Sequence, residues 1–191
     1  IACSTNIPMS TSLDDELVYD LEVNDSIPIV FKLENQLTSG SFFQYEKGDG
    51  NVLYPVEDEM VYNEYVVLTQ MLNDFIRYRF ANTSGSEPAQ IDMGLKWVTI
   101  SSEATENDQA TTLNSLLFIH GTRLYTAEVR VEVIITHKGQ THKRTIYGRA
   151  NTRAETFKKT KTDVNAYSAV LNKANNRVVY FTNQFLRDVG L

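Results

Sequence analysis

Three histidines are the side chains of this chain best suited to proton transfer or metal binding. They are His120, His137 and His142. If Gly139 and Gln140 form a two-residue turn, His137 and His142 stand opposite each other across a hairpin. A tight metal site needs a third or fourth ligand, and no acid or cysteine in this hairpin supplies one. The sequence therefore predicts an exposed histidine pair near a hairpin tip and no metal site.

Acidic pairs and serines are the other candidates for catalysis. Carboxylates cluster at Asp14–Asp15 and Glu57–Glu59, but these lie in a polar tail and at a helix start, where solvated charge or helix capping explains them. A catalytic serine needs a base beside it, and the sequence has no Gly-x-Ser-x-Gly pattern. The glycine cluster Gly48–Gly50 matches neither a P-loop nor a dinucleotide fingerprint. We therefore expect no enzyme and no cofactor.

Cys3 is the only cysteine, so no intramolecular disulfide is expected. The run Ile1–Ser4 resembles the end of a bacterial lipobox, whose cysteine becomes acylated, and the polar stretch that follows it suits a tether. A chance thiol near a terminus is the alternative. If Cys3 is acylated, the serine after it, in place of aspartate, predicts the outer membrane. The sequence thus predicts lipidation at Cys3, on the periplasmic face of the outer membrane.

Charge is divided unevenly along the chain. Residues 1–120 contain 5 Lys and Arg against 19 Asp and Glu, residues 121–191 contain 13 against 5, and the net charge is −6. We expect no nucleic acid partner, because an acidic protein repels a polyanion and no aromatic-interleaved basic motif occurs. A solvated strand facing the acidic half, or opposite-sign patches between neighbours in an oligomer, are the other interpretations. The basic stretch comprises Lys138, Lys143, Arg144, Arg149, Arg153, Lys158, Lys159 and Lys161.

Hydrophobic spacing predicts the elements of the first half. Alternation over 27–33 is typical of a strand, and the glycines at 48–50 favour a loose hairpin. Acids after Pro55 suit a helix N-terminus, where the macrodipole favours negative charge. Apolar residues then recur at steps of three and four. This stripe comprises Val61, Tyr65, Leu68, Met71, Leu72, Phe75, Ile76 and Arg79.

The second half reads as strands followed by a helix. The run 91–97 predicts a strand with Trp97 on the same face as Ile91, and 101–112 reads as an exposed acidic loop. Strict alternation over 125–135 predicts the clearest strand. After a turn at Gly139 and Gln140, the chain returns as a second strand through 145–149. The apolar stripe of the last helix comprises Val164, Tyr167, Leu171, Ala174, Val178, Phe181 and Phe185.

Together these patterns predict an α+β fold. Clean alternation indicates a sheet with one buried and one wet face, as in antiparallel sheets. Two amphipathic helices would pack on the buried face, giving a two-layer sandwich in the order β-α-β-β-β-α. We expect residues 1–26 to form an extended N-terminal tether and residues 27–191 to form the α+β domain.

Exposed aromatic and basic side chains are candidates for an interaction surface. Three tyrosines fall off the apolar stripes of the two helices, and tyrosine provides a large contact area at low entropic cost. The basic stretch supplies cations that could steer a partner. The candidate interaction residues are Tyr62, Tyr78, Tyr180, Lys143, Arg144 and Arg149.

This arrangement resembles the small Gram-negative envelope lipoproteins of the YajG type and the related ABC-transport auxiliary lipoproteins. The residues that carry the resemblance are the segment Val52–Pro55, the hairpin Ala127–Ile135 returning to Tyr147, and the helix end Phe185–Asp188. It covers roughly 27–191 and rests on element order and hydrophobic pattern. The resemblance implies a periplasmic, outer-membrane-tethered and non-enzymatic protein, with no catalytic residues to carry over.

Three classes of function remain open from the sequence. The first is a structural subunit of a multiprotein cell-envelope assembly, such as a secretion or motility apparatus, in which the chain contacts other envelope proteins within an oligomeric complex. The second is an accessory lipoprotein for lipid or small-molecule transport, which would require an apolar cleft between sheet and helices. The third is an enzyme with an acid, a base and a nucleophile gathered in a pocket. The charge asymmetry favours the first.

Overall fold

The computed structural model describes residues 11–19, 21, 23–24, 26–37, 43–47, 50–51, 58–80, 87–104, 120–157 and 161–191. Within these ranges the order of elements is α1 (Asp15–Tyr19), β1 (Ile29–Asn35), β2 (Phe43–Lys47), β3 (Gly50–Asn51), α2 (Asp58–Arg79), β4 (Ala89–Ala104), β5 (His120–His137), β6 (Gln140–Phe157) and α3 (Lys161–Asp188). None of the helices in the described ranges is long and apolar enough to cross a bilayer.

The described strands form one mixed sheet. Strands β4, β5 and β6 make an antiparallel meander, and β1 and β2 both pair with β4, at its two ends. The α+β class and the order β-α-β-β-β-α are confirmed. One detail needs correction, because β1 and β2 run parallel to β4 in a sheet predicted to be antiparallel. The chain passes through α2 between these strands, and such a crossover brings it back to pair in parallel.

The helix side of the sheet forms the core, as the alternation in β5 predicted. Tyr125, Ala127, Val129, Val131, Val133 and Ile135 are all fully buried. Helix α3 packs across β6 and β5, and α2 contacts α3 and β1. On α2, the predicted stripe is buried from Leu68 to Arg79, and the Tyr65 hydroxyl donates a hydrogen bond to the Leu33 carbonyl at 2.9 Å. Burial of these apolar side chains is the main favourable contribution to folding.

Trp97 does not lie on the predicted face. The pairing of β4 with β5 shifts between Leu95, opposite Val131, and Trp97, opposite Arg130. Such a β-bulge adds one residue to a strand and reverses the face of every side chain after it. Trp97 therefore lies on the side of the sheet away from the helices, and Val98 is buried in its place.

Three other expectations are corrected by the structure. Strand β4 continues through 101–104, where a loop was predicted. The hairpin turn is formed by Lys138 and Gly139 rather than Gly139 and Gln140, so His137 pairs with Gln140, and His142 pairs with Ile135. The two histidines are therefore not directly opposite each other. A left-handed conformation suits glycine at the second turn position, and this moves the turn by one residue.

The last helix also departs from its predicted stripe. Phe181 is 40% exposed, whereas Val179, Thr182 and Leu186 are buried. A helix has 3.6 residues per turn, so a stripe of steps of three and four rotates around a helix of 28 residues. The face of α3 that packs on the protein therefore leaves Phe181 near its C-terminal end in solvent.

The N-terminal segment contacts α3. Helix α1 lies within the region predicted as an extended tether, and Leu17 in this helix is buried. The Asp14 backbone N–H donates a hydrogen bond to Asn176 Oδ1 at 2.9 Å, and Asn176 Nδ2 donates to the Ser12 carbonyl at 3.3 Å. The boundary at residue 26 stays a prediction, and Cys3 lies outside the described residues.

Candidate interaction surface

The sheet has a second face that no described helix covers. We call it the open face, and define it as the side of β4, β5 and β6 on which Trp97, Arg130 and Tyr147 lie. Positions in β5 alternate strictly, so the residues between the buried ones point to this side. The open face is polar and partly aromatic, as expected of a sheet with one wet side.

A row of three side chains crosses the centre of the open face. Arg130 pairs with Trp97 of β4 on one side and with Tyr147 of β6 on the other. Its guanidinium carbon is 5.8 Å from the Trp97 ring centroid and 5.0 Å from the Tyr147 ring centroid, which is the geometry of cation–π contacts. Tyr147 is 50% exposed. Aromatic and arginine side chains held in this way are the residue types enriched at the energetic centres of protein interfaces.

Ion pairs extend this row along the strands. Glu132 of β5 lies between Lys143 Nζ at 2.9 Å and Lys96 Nζ at 3.6 Å, and Arg130 Nη2 lies 3.5 Å from Glu128 Oε1. The hydrogen bond from Lys143, aided by the charge of Lys96, lowers the pKa of Glu132 below its ordinary value. These pairs are partly exposed, so they contribute little to stability. These ion pairs fix the positions of the charged side chains next to the row.

A shallow groove crosses the open face next to this row. It encloses about 350 Å³, and Gly94 forms part of its floor because that position has no side chain. Lys32 and Glu34 of β1 pair with each other along its wall, and the hydrogen bond from Lys32 lowers the pKa of Glu34. The groove is therefore lined by charged groups rather than apolar ones.

The predicted interaction residues do not form one surface. Lys143 and Arg149 lie on the open face of β6. Arg144 points to the helix side, where its Nη1 atom is 2.8 Å from Asp188 Oδ2 and its guanidinium carbon is 4.3 Å from the Phe185 ring centroid. The structure therefore separates Arg144 from its two basic neighbours, because successive residues of a strand face opposite sides.

The predicted tyrosines are on the helix layer. Tyr78 is 57% exposed on α2, and Tyr180 is 43% exposed on α3, where it packs edge-on against Phe181 and accepts a hydrogen bond from Gln184 at 2.8 Å. Tyr62 lies in α2, but its side chain is outside the described residues. These tyrosines and the open face thus occupy different layers of the fold.

Sequence reasoning missed Trp97 and Arg130. Alternation assigned Trp97 to the core, and nothing in the sequence marks the bulge that turns it outward. Arg130 falls at a polar position of the alternation over 125–135, but its stacking partners come from the neighbouring strands. Among the described residues, no group of three or more His, Cys, Asp or Glu side chains could hold a metal ion.

Comparisons with known proteins give only weak similarities. No protein-family model and no curated protein match the chain. A solved structure described as an uncharacterised protein is 11% identical, with a TM-score of 0.39 and coverage of 90% of this chain and 97% of that one. A candidate lipoprotein from Caulobacter crescentus CB15 is 10% identical, with a TM-score of 0.34 and coverage of 81% and 88%. Similarities this low carry no argument about function, and YajG-type membership stays a prediction.

Proposed function

We propose that this chain is a non-enzymatic interaction subunit of a multiprotein cell-envelope assembly, and that it binds another envelope protein through the open face of its sheet. The observation that carries the proposal is the row Trp97–Arg130–Tyr147. It places two aromatic rings and a cation at the centre of a face that no described helix covers. Such residues in a fixed arrangement bind with little loss of side-chain entropy.

On the helix side of the sheet, the described parts of α3, β5 and β6 are closely packed. Gly148 of β6 is in close contact with the backbone of α3, and the β5 side chains beneath the helices are fully buried. An accessory role in lipid or small-molecule transport, the alternative function, would use an apolar cleft between these two layers. The close packing favours interaction through the outer surfaces, and a secretion or motility apparatus is the kind of assembly that we propose.

Membrane attachment is the second part of the proposal. It rests on Cys3 and the sequence around it, and we propose that acylation there tethers the chain to the periplasmic face of the outer membrane. The described N-terminal segment is bonded to α3 through Asn176, on the side of the sheet opposite the open face. A tether that leaves from the helix side would keep the open face accessible to a protein partner.

Site-specific photocrosslinking in cells that express the full chain tests the interaction. A photoreactive phenylalanine analogue at Tyr147 is compared with the same analogue at Tyr78, which is at least as exposed but lies on α2. We expect a discrete covalent adduct with another envelope protein from position 147 only. Equal adducts from both positions, or adducts from position 78 alone, would show that the open face is not the binding surface.

Fractionation of the same cells tests the anchor. The Cys3→Ala variant should move from the membrane fraction to the soluble periplasmic fraction. The same variant should keep the spectroscopic signature of the folded domain. A variant that stays with the outer membrane would exclude lipidation at Cys3 as the means of attachment. If the fractionation test fails, only the membrane anchor is excluded, and the crosslinking result still tests the interaction.

A further inference from the structure

Among the described strands, β6 is at the edge of the sheet. The strand order among the described residues ends with β6, which is 18 residues long and pairs with β5 over its whole length without a register shift. Natural sheets keep edge strands short or interrupt them with bulges, because an unpaired edge binds other strands. A regular edge of this length is therefore a surface that can accept an added strand.

The turn between β5 and β6 determines which backbone groups point outward. Lys138 and Gly139 have φ angles of 49° and 73°, as in the type I′ turn of a two-residue hairpin. In such a hairpin the flanking pair, His137 and Gln140, exchanges hydrogen bonds, and every second pair after it does the same. The odd-numbered residues of β6 therefore direct their N–H and C=O groups away from β5.

A contact with α3 supports this assignment. The Arg177 guanidinium donates a hydrogen bond to the Arg149 carbonyl. An arginine on α3 reaches this oxygen because the oxygen points out of the sheet. No other backbone group on the outward side of β6 has a backbone partner beyond its own hairpin among the described residues. Within the part of the chain that the structure describes, Arg149 is therefore the one residue on this edge whose outward carbonyl accepts a hydrogen bond.

The side chains of the same residues form a continuous exposed row on the open face, which we call the β6 row. Lys143 is already paired with Glu132. Arg149 and Arg153 make no ion pair with any described residue. Cations and backbone groups that have no partner among the residues described here favour an anionic strand. The β6 row comprises Thr141, Lys143, Thr145, Tyr147, Arg149, Asn151 and Arg153.

We propose that β6 binds an extended acidic segment of another protein, which adds to the sheet as an antiparallel strand. This inference rests on the proposed function and names the chemistry of its partner. The backbone edge would supply the affinity, and the side chains of the β6 row would supply the specificity. A second copy of the chain fits less well, because its own β6 row contains no acid that could pair with Arg149 and Arg153.

The row specifies a pattern for the partner. In an antiparallel strand, residues opposite Arg153 and Arg149 are four positions apart, and the residue opposite Tyr147 follows two positions later. The expected segment has an acid, then a small polar residue, a second acid and an apolar residue at alternate positions. Intervening residues point to the helix side.

Binding of a synthetic peptide to the full chain tests the inference. The probe is a fluorescent peptide of sequence Glu-Thr-Thr-Thr-Glu-Thr-Val-Thr-Thr, and the matched control has both glutamates replaced by lysine. We expect the acidic peptide to bind at least tenfold more tightly by fluorescence anisotropy, with slower amide exchange at the odd-numbered residues of β6. Equal binding of both peptides, or protection elsewhere in the chain, would overturn the proposal.

Charge-reversal variants locate the site. The Arg149→Glu/Arg153→Glu variant should weaken binding of the acidic peptide about tenfold and should prefer the lysine peptide. The control is Arg77→Glu/Lys173→Glu, which makes the same change in net charge on the exposed faces of α2 and α3 and should bind as the wild type does. Equal weakening in both variants would indicate non-specific attraction, which contradicts the proposal.

Light scattering tests whether a second copy of the chain, rather than an acidic segment, binds at β6. A wild-type dimer that dissociates in the Arg149→Glu/Arg153→Glu variant would show that a second copy occupies β6, and would overturn the acidic partner. If the acidic peptide fails to bind while the Tyr147 crosslink to an envelope protein is obtained, the proposed function stands and only the β6 inference fails.

Discussion

Gly148 of β6 lies against the backbone of Ala174 in α3. A Cβ atom at Gly148 would be 2.1 Å from the Ala174 carbonyl oxygen and 2.6 Å from Val178 Cγ2. No real Cβ atom tolerates such distances, so the absence of a side chain at Gly148 sets how closely α3 approaches the sheet. The distance between α3 and the sheet thus depends on one glycine of β6.

Substitution of this glycine should be costly. We expect Gly148→Ala to lower the free energy of unfolding by about 2–4 kcal/mol, because the backbone of α3 must move away from the sheet. Gly94→Ala is the matched control in β4, where the atoms nearest to the new methyl group belong to the Gln36 side chain. That side chain is exposed and would lose only solvent-accessible hydrogen bonds with Glu34 and Lys96 when it moves, so the cost should be about 1 kcal/mol or less. Urea unfolding measures the free energy of unfolding of both variants. Similar decreases in the two variants would contradict the close contact between Gly148 and α3.

Glu64 of α2 is fully buried beside Asn175 of α3. Neither of its carboxyl oxygens has a hydrogen-bond partner of good geometry among the described residues. Burial raises the pKa of Glu64 to about 8, and the nearby Asn175 amide opposes this rise. The neutral acid is therefore the form that the packed α2–α3 contact accommodates, because an unpaired charge is strongly disfavoured there.

Stability should depend on pH through Glu64. The folded-state pKa is raised above the ordinary value of 4.5 for a glutamate, so the contribution of the protonated acid is complete below about pH 4.5 and is lost as pH rises towards about 8. Within this window the loss is about 1.4 kcal/mol per pH unit at most. Glu64→Gln keeps the shape of the neutral acid and cannot ionise. In urea unfolding, the free energy of unfolding of this variant relative to the wild type should increase with pH. Parallel pH profiles of the two proteins would refute the assignment.

Arg144 contributes to stability through stacking as well as charge. Its ion pair with Asp188 is half exposed, and its guanidinium also lies over the Phe185 ring. We expect Asp188→Asn to cost less than about 0.5 kcal/mol and Arg144→Ala to cost about 1 kcal/mol. In about 1 M NaCl the effect of Asp188→Asn should vanish, because salt screens the ion pair. If the effect of Arg144→Ala vanishes as well, the stacking contributes nothing.

Asn176 attaches the N-terminal segment to α3. Its side chain accepts from the Asp14 N–H and donates to the Ser12 carbonyl. Asn176→Ala should remove both bonds and speed amide exchange in 14–19 at least tenfold, while exchange in β5 stays unchanged. Lys173→Ala, one turn earlier on the exposed face of α3, is the control and should leave both regions unchanged. Faster exchange throughout the chain would mean that Asn176 supports the core rather than this segment.

The sequence by itself determined the two layers of this fold. Residues from Tyr125 to Ile135 alternate with period two, and the stripe from Leu68 to Phe75 repeats with the helical period. These patterns follow from local backbone geometry, so they can be read without the structure. The order of elements and the buried face of β5 were predicted correctly for this reason.

Only the tertiary structure decided what the open face presents. The bulge after Leu95 turns Trp97 outward, and pairing across three strands sets Arg130 between Trp97 and Tyr147. The parallel pairing of β1 with β4 and the contact of α1 with α3 also join residues far apart in the chain. Pairing register and long-range contacts depend on the sum of many packing interactions. A local pattern of residues therefore does not predict them.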